Sequence, residues 1–200
     1  FYRDRIHTSE FGARINARSA AEGIAALPNL ELKKYLKPLV TPTVQGLNRK
    51  PGKPVVFFTG DSTVKNTDRE EDGMWGLGSV AACAFDTTKV TLCNQAKAGR
   101  STRTSLEEGR WDEVYNSLQP GDYVFIQFGH NDEKADPLRH TDPDSTFKDN
   151  LRYFIRCARE KGAHPLLITS IARRLFDDAG NFLPGSHGAY PSAVKELGAA

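Results

Sequence analysis

The side chain best placed for covalent chemistry in this sequence is a serine that follows an apolar run and a glycine. Phe57-Phe58-Thr59-Gly60-Asp61-Ser62 reads as a buried strand that delivers Ser62 to its carboxyl end, where the hydroxyl can attack a carbonyl carbon. Such an attack puts negative charge on the carbonyl oxygen, and that oxyanion needs donors already aimed at it. Two later segments can supply them. Asn94-Gln95-Ala96-Lys97-Ala98-Gly99-Arg100-Ser101 and Gly129-His130-Asn131-Asp132 each follow a predicted strand. The backbone N–H of Gly99 and the side-chain amide of Asn131 therefore join the N–H of Ser62 as candidate oxyanion donors. Read singly, each has a plainer role: Ser62 as a helix-capping turn residue, Gly99 as a left-handed turn residue, Asn131 as a turn-capping amide. Their joint arrival at one sheet edge points to ester chemistry.

The elements that must position these residues alternate between strand and helix. Val55 to Thr59 is a continuous apolar run closed by Gly60, as suits a strand buried on both faces; Lys89 to Cys93, Asp122 to Phe128 and Pro165 to Ser170 repeat the theme. Helical stretches fall between them at Gly76 to Phe85, Thr104 to Leu118 and Ser145 to Lys161. In the last of these Phe147, Leu151, Phe154, Ile155 and Ala158 sit at helical spacing and Gly162 supplies the stop. The alternation predicts an α/β fold: a three-layer α/β/α sandwich with a mostly parallel sheet, whose ligands sit beyond the carboxyl ends of the strands. Before Pro54 the pattern changes. Ser9 to Leu27 reads as one amphipathic helix ending near Pro28, and residues 37–54, with Pro38, Pro42, Gly46, Pro51, Gly52 and Pro54, read as a linker.

Composition narrows the field. With 200 residues, 38% of them apolar, the chain can bury one ordinary core and is not a disordered tail. Its longest apolar run, Val80 to Phe85, is far short of the roughly 20 residues of a membrane-spanning helix, so no membrane partner is expected. Cys83, Cys93 and Cys157 are an odd count without C-x-x-C spacing, which argues against a disulfide framework and a cysteine-built metal site; buried thiols and one bridge plus a spare both stay open. Residues 1–54 carry 10 basic and 4 acidic side chains, residues 55–200 carry 17 and 21, and the net charge is +2. A solvated surface explains this mild split more simply than an anionic partner, and no nucleic acid is expected. The chain opens on Phe1, and its first 30 residues lack the apolar stretch of a secretion signal, so it reads as a processed or excised piece.

Taken together, Gly60-Asp61-Ser62-Thr63-Val64, Ala98-Gly99-Arg100-Ser101 and Phe128-Gly129-His130-Asn131-Asp132 resemble the SGNH, or GDSL-type, hydrolase superfamily, named for a serine, glycine, asparagine and histidine in four separated blocks. They look particularly like its rhamnogalacturonan acetylesterase branch. The match runs through most of Val55 to Ala200 and includes Trp75-Gly76 and Gln119-Pro120-Gly121-Asp122. The resemblance implies the flavodoxin-like SGNH fold, no cofactor, a secreted or periplasmic location, and an acetylated pectic oligo- or polysaccharide as substrate. It makes Ser62 the nucleophile, with Ser62, Gly99 and Asn131 as the oxyanion hole.

The fourth block, Asp-x-x-His, lies near the C-terminus in family members. Here His140, His164 and His187 are preceded three positions earlier by Pro137, Lys161 and Pro184, so none fits. Asp4-Arg5-Ile6-His7 resembles that block instead, and the residues from there to Leu36 resemble the family's closing helix and tail. The resemblance thus makes His7 the general base and Asp4 its orienting carboxylate. It divides the chain into 1–36, a closing segment; 37–54, a linker; and 55–200, the hydrolase core. Two arrangements fit the reversed order. In a circular permutant the linker joins the old termini, and 18 residues can reach roughly 60 Å. In a slice through two consecutive domains, His7 serves another domain. Either way one strand-helix unit of the fold is unmatched, and a second chain or a further segment is expected to complete the sheet.

Other residues are candidates for substrate contact. His130 sits inside the third block and serves either substrate or a supporting hydrogen bond. Arg100, with Lys97 and Arg103, offers cations to uronate carboxylates, against the plainer reading of solvated charge. Trp75 can stack on a sugar or fill a core. Glu70, Glu71 and Asp72 read as a solvated acidic loop; without a second acidic cluster at ligand spacing, no metal is expected. Two rival readings remain: a lipase- or thioesterase-type hydrolase of the same superfamily, and a non-catalytic carbohydrate-binding fragment.

Overall fold

The computed structural model describes residues 10–36, 42–66, 75–183 and 185–199. Asp4, His7 and the acidic loop at 70–72 lie outside the described residues. The chain divides into two compact units, residues 1–42 and 43–200. In the first, helix α1 (Glu10–Ala26) leads through Asn29, at φ 57°, to a 3-10 turn over Glu31–Tyr35 in which no residue is buried.

The second unit is built on four strands, β1 (Val55–Gly60), β2 (Thr91–Asn94), β3 (Tyr123–Gln127) and β4 (His164–Leu167), all parallel in the order β2-β1-β3-β4. Every residue of β1 is buried, as its unbroken apolar run requires of an inner strand. Pairing of Phe58 with Asn94 and of Gly60 with Gln127 brings the ends of β2, β1 and β3 to one edge. The segments holding Ser62, Gly99 and Asn131 all leave from that edge.

Alternation along β1 sends Val56 and Phe58 to one face, where they pack with Val64, Ala81, Phe85, Leu92 and Phe125. Phe58 stacks on Phe125 with ring centroids 5.1 Å apart. Helix α2 (Leu77–Val80) and the 3-10 turn after it, Ala81–Cys83, belong to this side. Val55 and Phe57 point the other way and are equally buried. The remaining helices form the second layer: α3 (Thr102–Glu107), α4 (Arg110–Ser117), α5 (Thr146–Glu160) and α6 (Tyr190–Gly198). Trp111 of α4 lies 4.5 Å from Phe154 of α5, which in turn lies 5.9 Å from Phe128, while Phe147 meets Tyr190 of α6 at 5.0 Å.

The predicted elements are present with revised bounds. The helix expected over Thr104 to Leu118 is two helices, because the chain turns left-handed at Gly109, φ 70°. Strand β2 starts two residues later than expected. The Asp86 carboxylate accepts from Thr88 N and Oγ1, and the Asp86 carbonyl from Lys89 and Val90, which curls 86–90 into a turn. Helix α5 stops at Gly162 as expected, with Gly162 N bonded to Arg159 O (2.9 Å) and Ala163 N to Ala158 O (3.0 Å). Residues 43–54 lack regular structure but are fastened to the sheet. Arg49 forms a two-pronged pair with Asp122 at 2.7 and 2.8 Å, and that buried carboxylate also accepts from Val55 N and Gln119 N. All three cysteines are free thiols, Cys93 and Cys157 buried and Cys83 exposed.

Candidate active site

Gly60 closes β1 where the backbones crowd. A Cβ there would lie 2.5 Å from the Gln127 carbonyl oxygen and 2.8 Å from Val64 Cγ2, so only glycine lets β1 and β3 approach at this point. The chain then folds into a single turn. Asp61 O accepts from Val64 N (3.1 Å) and Lys65 N (3.0 Å), while Asp61 Oδ1 accepts from Thr63 N and Thr63 Oγ1, both at 2.8 Å. Gln127 Nε2 donates to Thr63 Oγ1 at 2.8 Å and ties the turn to β3. Asp61 is fully buried by this network, and Ser62 beside it is left exposed at the carboxyl end of the strand. The other Asp61 oxygen, Oδ2, is buried without a partner among the described residues.

The second segment runs alongside. Gln95 N donates to Phe58 O (2.8 Å) and Lys97 N to Gly60 O (3.0 Å), carrying the β2 chain past the end of β1. Gly99 then turns left-handed at φ 78°, with no atom within 4 Å of where a Cβ would stand. Helix α3 starts just beyond it on a reciprocal cap between Ser101 and Thr104. Among the described residues, the N–H groups of Ser62 and Gly99 have no acceptor.

The third segment is organised by Asp132. This buried carboxylate accepts from Thr102 N, Thr102 Oγ1, Thr141 Oγ1 and Gly129 N. Burial pushes its carboxyl up to about 6, against the downward pull of those bonds. Asn131, 3% exposed, donates from Nδ2 to Arg100 O at 3.0 Å and accepts from Lys134 Nζ at 2.9 Å. Its amide is thereby fixed in orientation and stitched to the second segment, and Nδ2 retains a second hydrogen.

His130 is half-buried and its Nε2 is buried without a partner among the described residues. Burial lowers its basicity, the Asp61 charge opposes that, and His187 and Arg173 reinforce it. The two histidine rings meet edge to face, centroids 4.2 Å apart. His187 Nδ1 lies 2.7 Å from Glu133 Oε2, and Arg173 Nε lies 3.0 Å from Glu133 Oε1.

Ser62, Gly99, Asn131 and His130 therefore share one edge of the sheet. The remaining candidates are placed differently. Arg100 directs Nε to Glu108 (2.9 Å) and Nη1 to Ala98 O (3.0 Å), so its fork is engaged within its own segment. Burial disfavours the charge on Glu108, yet its bonds to Arg100 and Arg110 hold its carboxyl below the ordinary value. Arg103 reaches Pro137 O, whereas Lys97 and Trp75 are exposed. Sequence reasoning passed over Glu133, Arg173 and the pairing role of His187. Only the third block itself, which runs directly into Glu133, hinted at them.

No protein-family model matches the chain. Over 146 residues, 72% of the chain, it is 45% identical to the rhamnogalacturonan acetylesterase RhgT of Bacillus subtilis (strain 168), covering 61% of that protein. The probable rhamnogalacturonan acetylesterase YesY of the same organism is 42% identical over 132 residues, which cover 64% of this chain and 58% of YesY. The chain thus spans about three fifths of the length of these curated relatives. The solved structure of protein YxiM from Bacillus subtilis superposes with a TM-score of 0.63 at 26% identity, over 72% of this chain and 40% of that one.

Proposed function

The chain belongs to the SGNH, or GDSL-type, hydrolase superfamily, in its rhamnogalacturonan acetylesterase-like branch, and from that membership we propose that it is a serine esterase removing O-acetyl groups from a pectic polysaccharide such as rhamnogalacturonan. The observation that carries this reading is Ser62, exposed at the end of β1 beside a left-handed Gly99 and an oriented Asn131 amide. Ser62 Oγ attacks the acetyl carbonyl carbon while His7 takes its proton and Asp4 holds the imidazole. The N–H groups of Ser62 and Gly99 and Asn131 Nδ2 stabilise the oxyanion. Collapse breaks the bond to the sugar oxygen, which leaves with the proton from His7. Water, deprotonated by His7, then attacks acetyl-Ser62 and releases acetate. Asp4 and His7 take these roles from their sequence block alone.

Around this centre, Trp75 offers a ring to the sugar, His130 a polar neighbour, and the exposed Lys97 a freer cation than Arg100 for a uronate carboxylate. A polymeric plant substrate implies a secreted or periplasmic enzyme. One observation favours the lipase or thioesterase alternative: Ile171, Leu175, Phe176, Phe182 and Leu183, in the segment after β4, are all exposed. The deciding experiment measures acetate release from acetylated pectin, and hydrolysis of 4-nitrophenyl acetate and octanoate, by wild type and Ser62→Ala. Ser62→Ala is expected to lose about 10³-fold or more in kcat. Equal acetate release by both proteins refutes the serine mechanism, preference for octanoate selects the lipase, and oligosaccharide binding without turnover marks a non-catalytic chain.

A further inference from the structure

Three side chains that the esterase reading does not require as a set converge beside the Asn131 loop. One potential ligand atom from each of His130, Glu133 and His187 lies within 4.8 Å of the others. We propose that these three residues bind one divalent transition-metal ion, with Zn2+ the best match to two imidazoles and a carboxylate.

The hydrogen bonds of His187 carry the argument. Its Nε2 lies 2.8 Å from the Ile171 carbonyl, which can only accept, so Nε2 holds a hydrogen. In a neutral ring Nδ1 then presents a lone pair, and it faces Glu133 Oε2 at 2.7 Å. At that separation Nδ1 and Oε2 share either a proton, on a charged ring, or, with the two atoms drawn slightly apart, a bound cation. A ring that donates outward to a backbone carbonyl while its other nitrogen faces the site has the arrangement that orients a metal-binding imidazole. Glu133 is oriented in the same way, because Arg173 holds Oε1 and leaves Oε2 turned toward His187. The third member brings an unmet need: His130 Nε2 is buried with no partner among the described residues. The positive charge of Arg173 opposes a cation, and the carboxylates of Glu133 and fully buried Asp61 offset it. Zinc bonds of about 2.0–2.1 Å require the three atoms to close on a common centre, which side-chain rotation can supply, and leave a fourth position for water. His130 and Glu133 flank the loop that carries Asn131, and His187 leads into α6, so the ion would cross-link segments 54 residues apart.

The test strips the full chain with a chelator, removes the chelator, and titrates it calorimetrically with Zn2+ and, by visible absorption, with Co2+. One ion per chain is expected, together with Co2+ d–d bands. His130→Ala and Glu133→Gln should each weaken binding by more than the roughly 10- to 100-fold that follows loss of a group merely supporting a ligand. His164→Ala, a histidine at the opposite end of the sheet, should leave it unchanged, and circular dichroism should report all three variants folded. Two variants at separate ligands keep the test decisive if one fails to fold. Absence of saturable binding up to millimolar Zn2+, or equal affinity in wild type and the folded ligand variants, overturns the proposal and identifies the His187–Glu133 contact as a protonated ion pair.

Discussion

Asn131 and Asp132 are adjacent in sequence and divide the labour of the third segment. The Asn131 amide is held at both ends, by Arg100 O and Lys134 Nζ, yet neither bond supports an element of the sheet or helices. Asn131→Ala should therefore lower kcat on 4-nitrophenyl acetate about 10²- to 10³-fold with little change in KM, as expected when one oxyanion donor is lost. A lower melting temperature with unchanged kcat would reduce Asn131 to a turn residue. Asp132 acts on the fold instead. Its carboxyl, pushed by burial to about 6 from an ordinary 3.8, keeps its proton longer in the native state than in the unfolded chain. The native state then binds more protons between those values, so the Asp132 contribution is greatest below pH about 4 and declines as pH rises through about 6. Urea midpoints of wild type and Asp132→Asn should show the wild type losing ground to the variant from pH 4 to 7. A gap independent of pH would mean that the four donors hold the carboxylate ionised throughout.

At the level of elements, the sequence made legible what depends on local runs. Val55 to Thr59 reads as an inner strand and lies fully buried in β1, and Phe147, Leu151 and Phe154, read at helical spacing, are buried in α5. What stayed hidden depends on single side chains or on distant partners. The Asp86 carboxylate delays β2, and α6 escaped notice because its buried set, Tyr190, Ala193 and Val194, is short and partly small. In the candidate site, Ser62, Gly99 and Asn131 could be placed at one sheet edge because each lies in the segment that follows a strand and sits in a recognisable turn. The contact of His187 with Glu133 was not, since no local pattern relates residues 54 positions apart. Gly129 joins the two kinds of information. It sits at φ 135°, and a Cβ would lie 2.2 Å from Ser170 Oγ, which itself donates to Phe128 O. Gly129→Ala should cost roughly 1–3 kcal/mol in urea unfolding and displace Asn131, lowering activity as well. Wild-type stability in that variant would show that Ser170 yields without cost.

For the whole molecule, the proposed serine mechanism turns on the chain that supplies the base. Ser62, Gly99 and Asn131 arise from one unit, residues 43–200, while Asp4 and His7 belong to residues 1–42. A permuted domain and a slice through two domains make different demands on function. In the first, His7 and Ser62 work within one chain: His7→Ala loses about 10³-fold or more in kcat, and an equimolar mixture of His7→Ala with Ser62→Ala stays inactive. If copies instead exchange their first segments, as in domain swapping, the mixture recovers activity that neither variant has alone, because some sites then combine an intact serine with an intact histidine. In a slice, wild type and His7→Ala share the same low rate, since neither holds a base for Ser62. We expect the first result. The three outcomes separate cleanly in one assay of acetate release, and only the last would remove His7 from the mechanism while leaving Ser62, Gly99 and Asn131 where the sheet puts them.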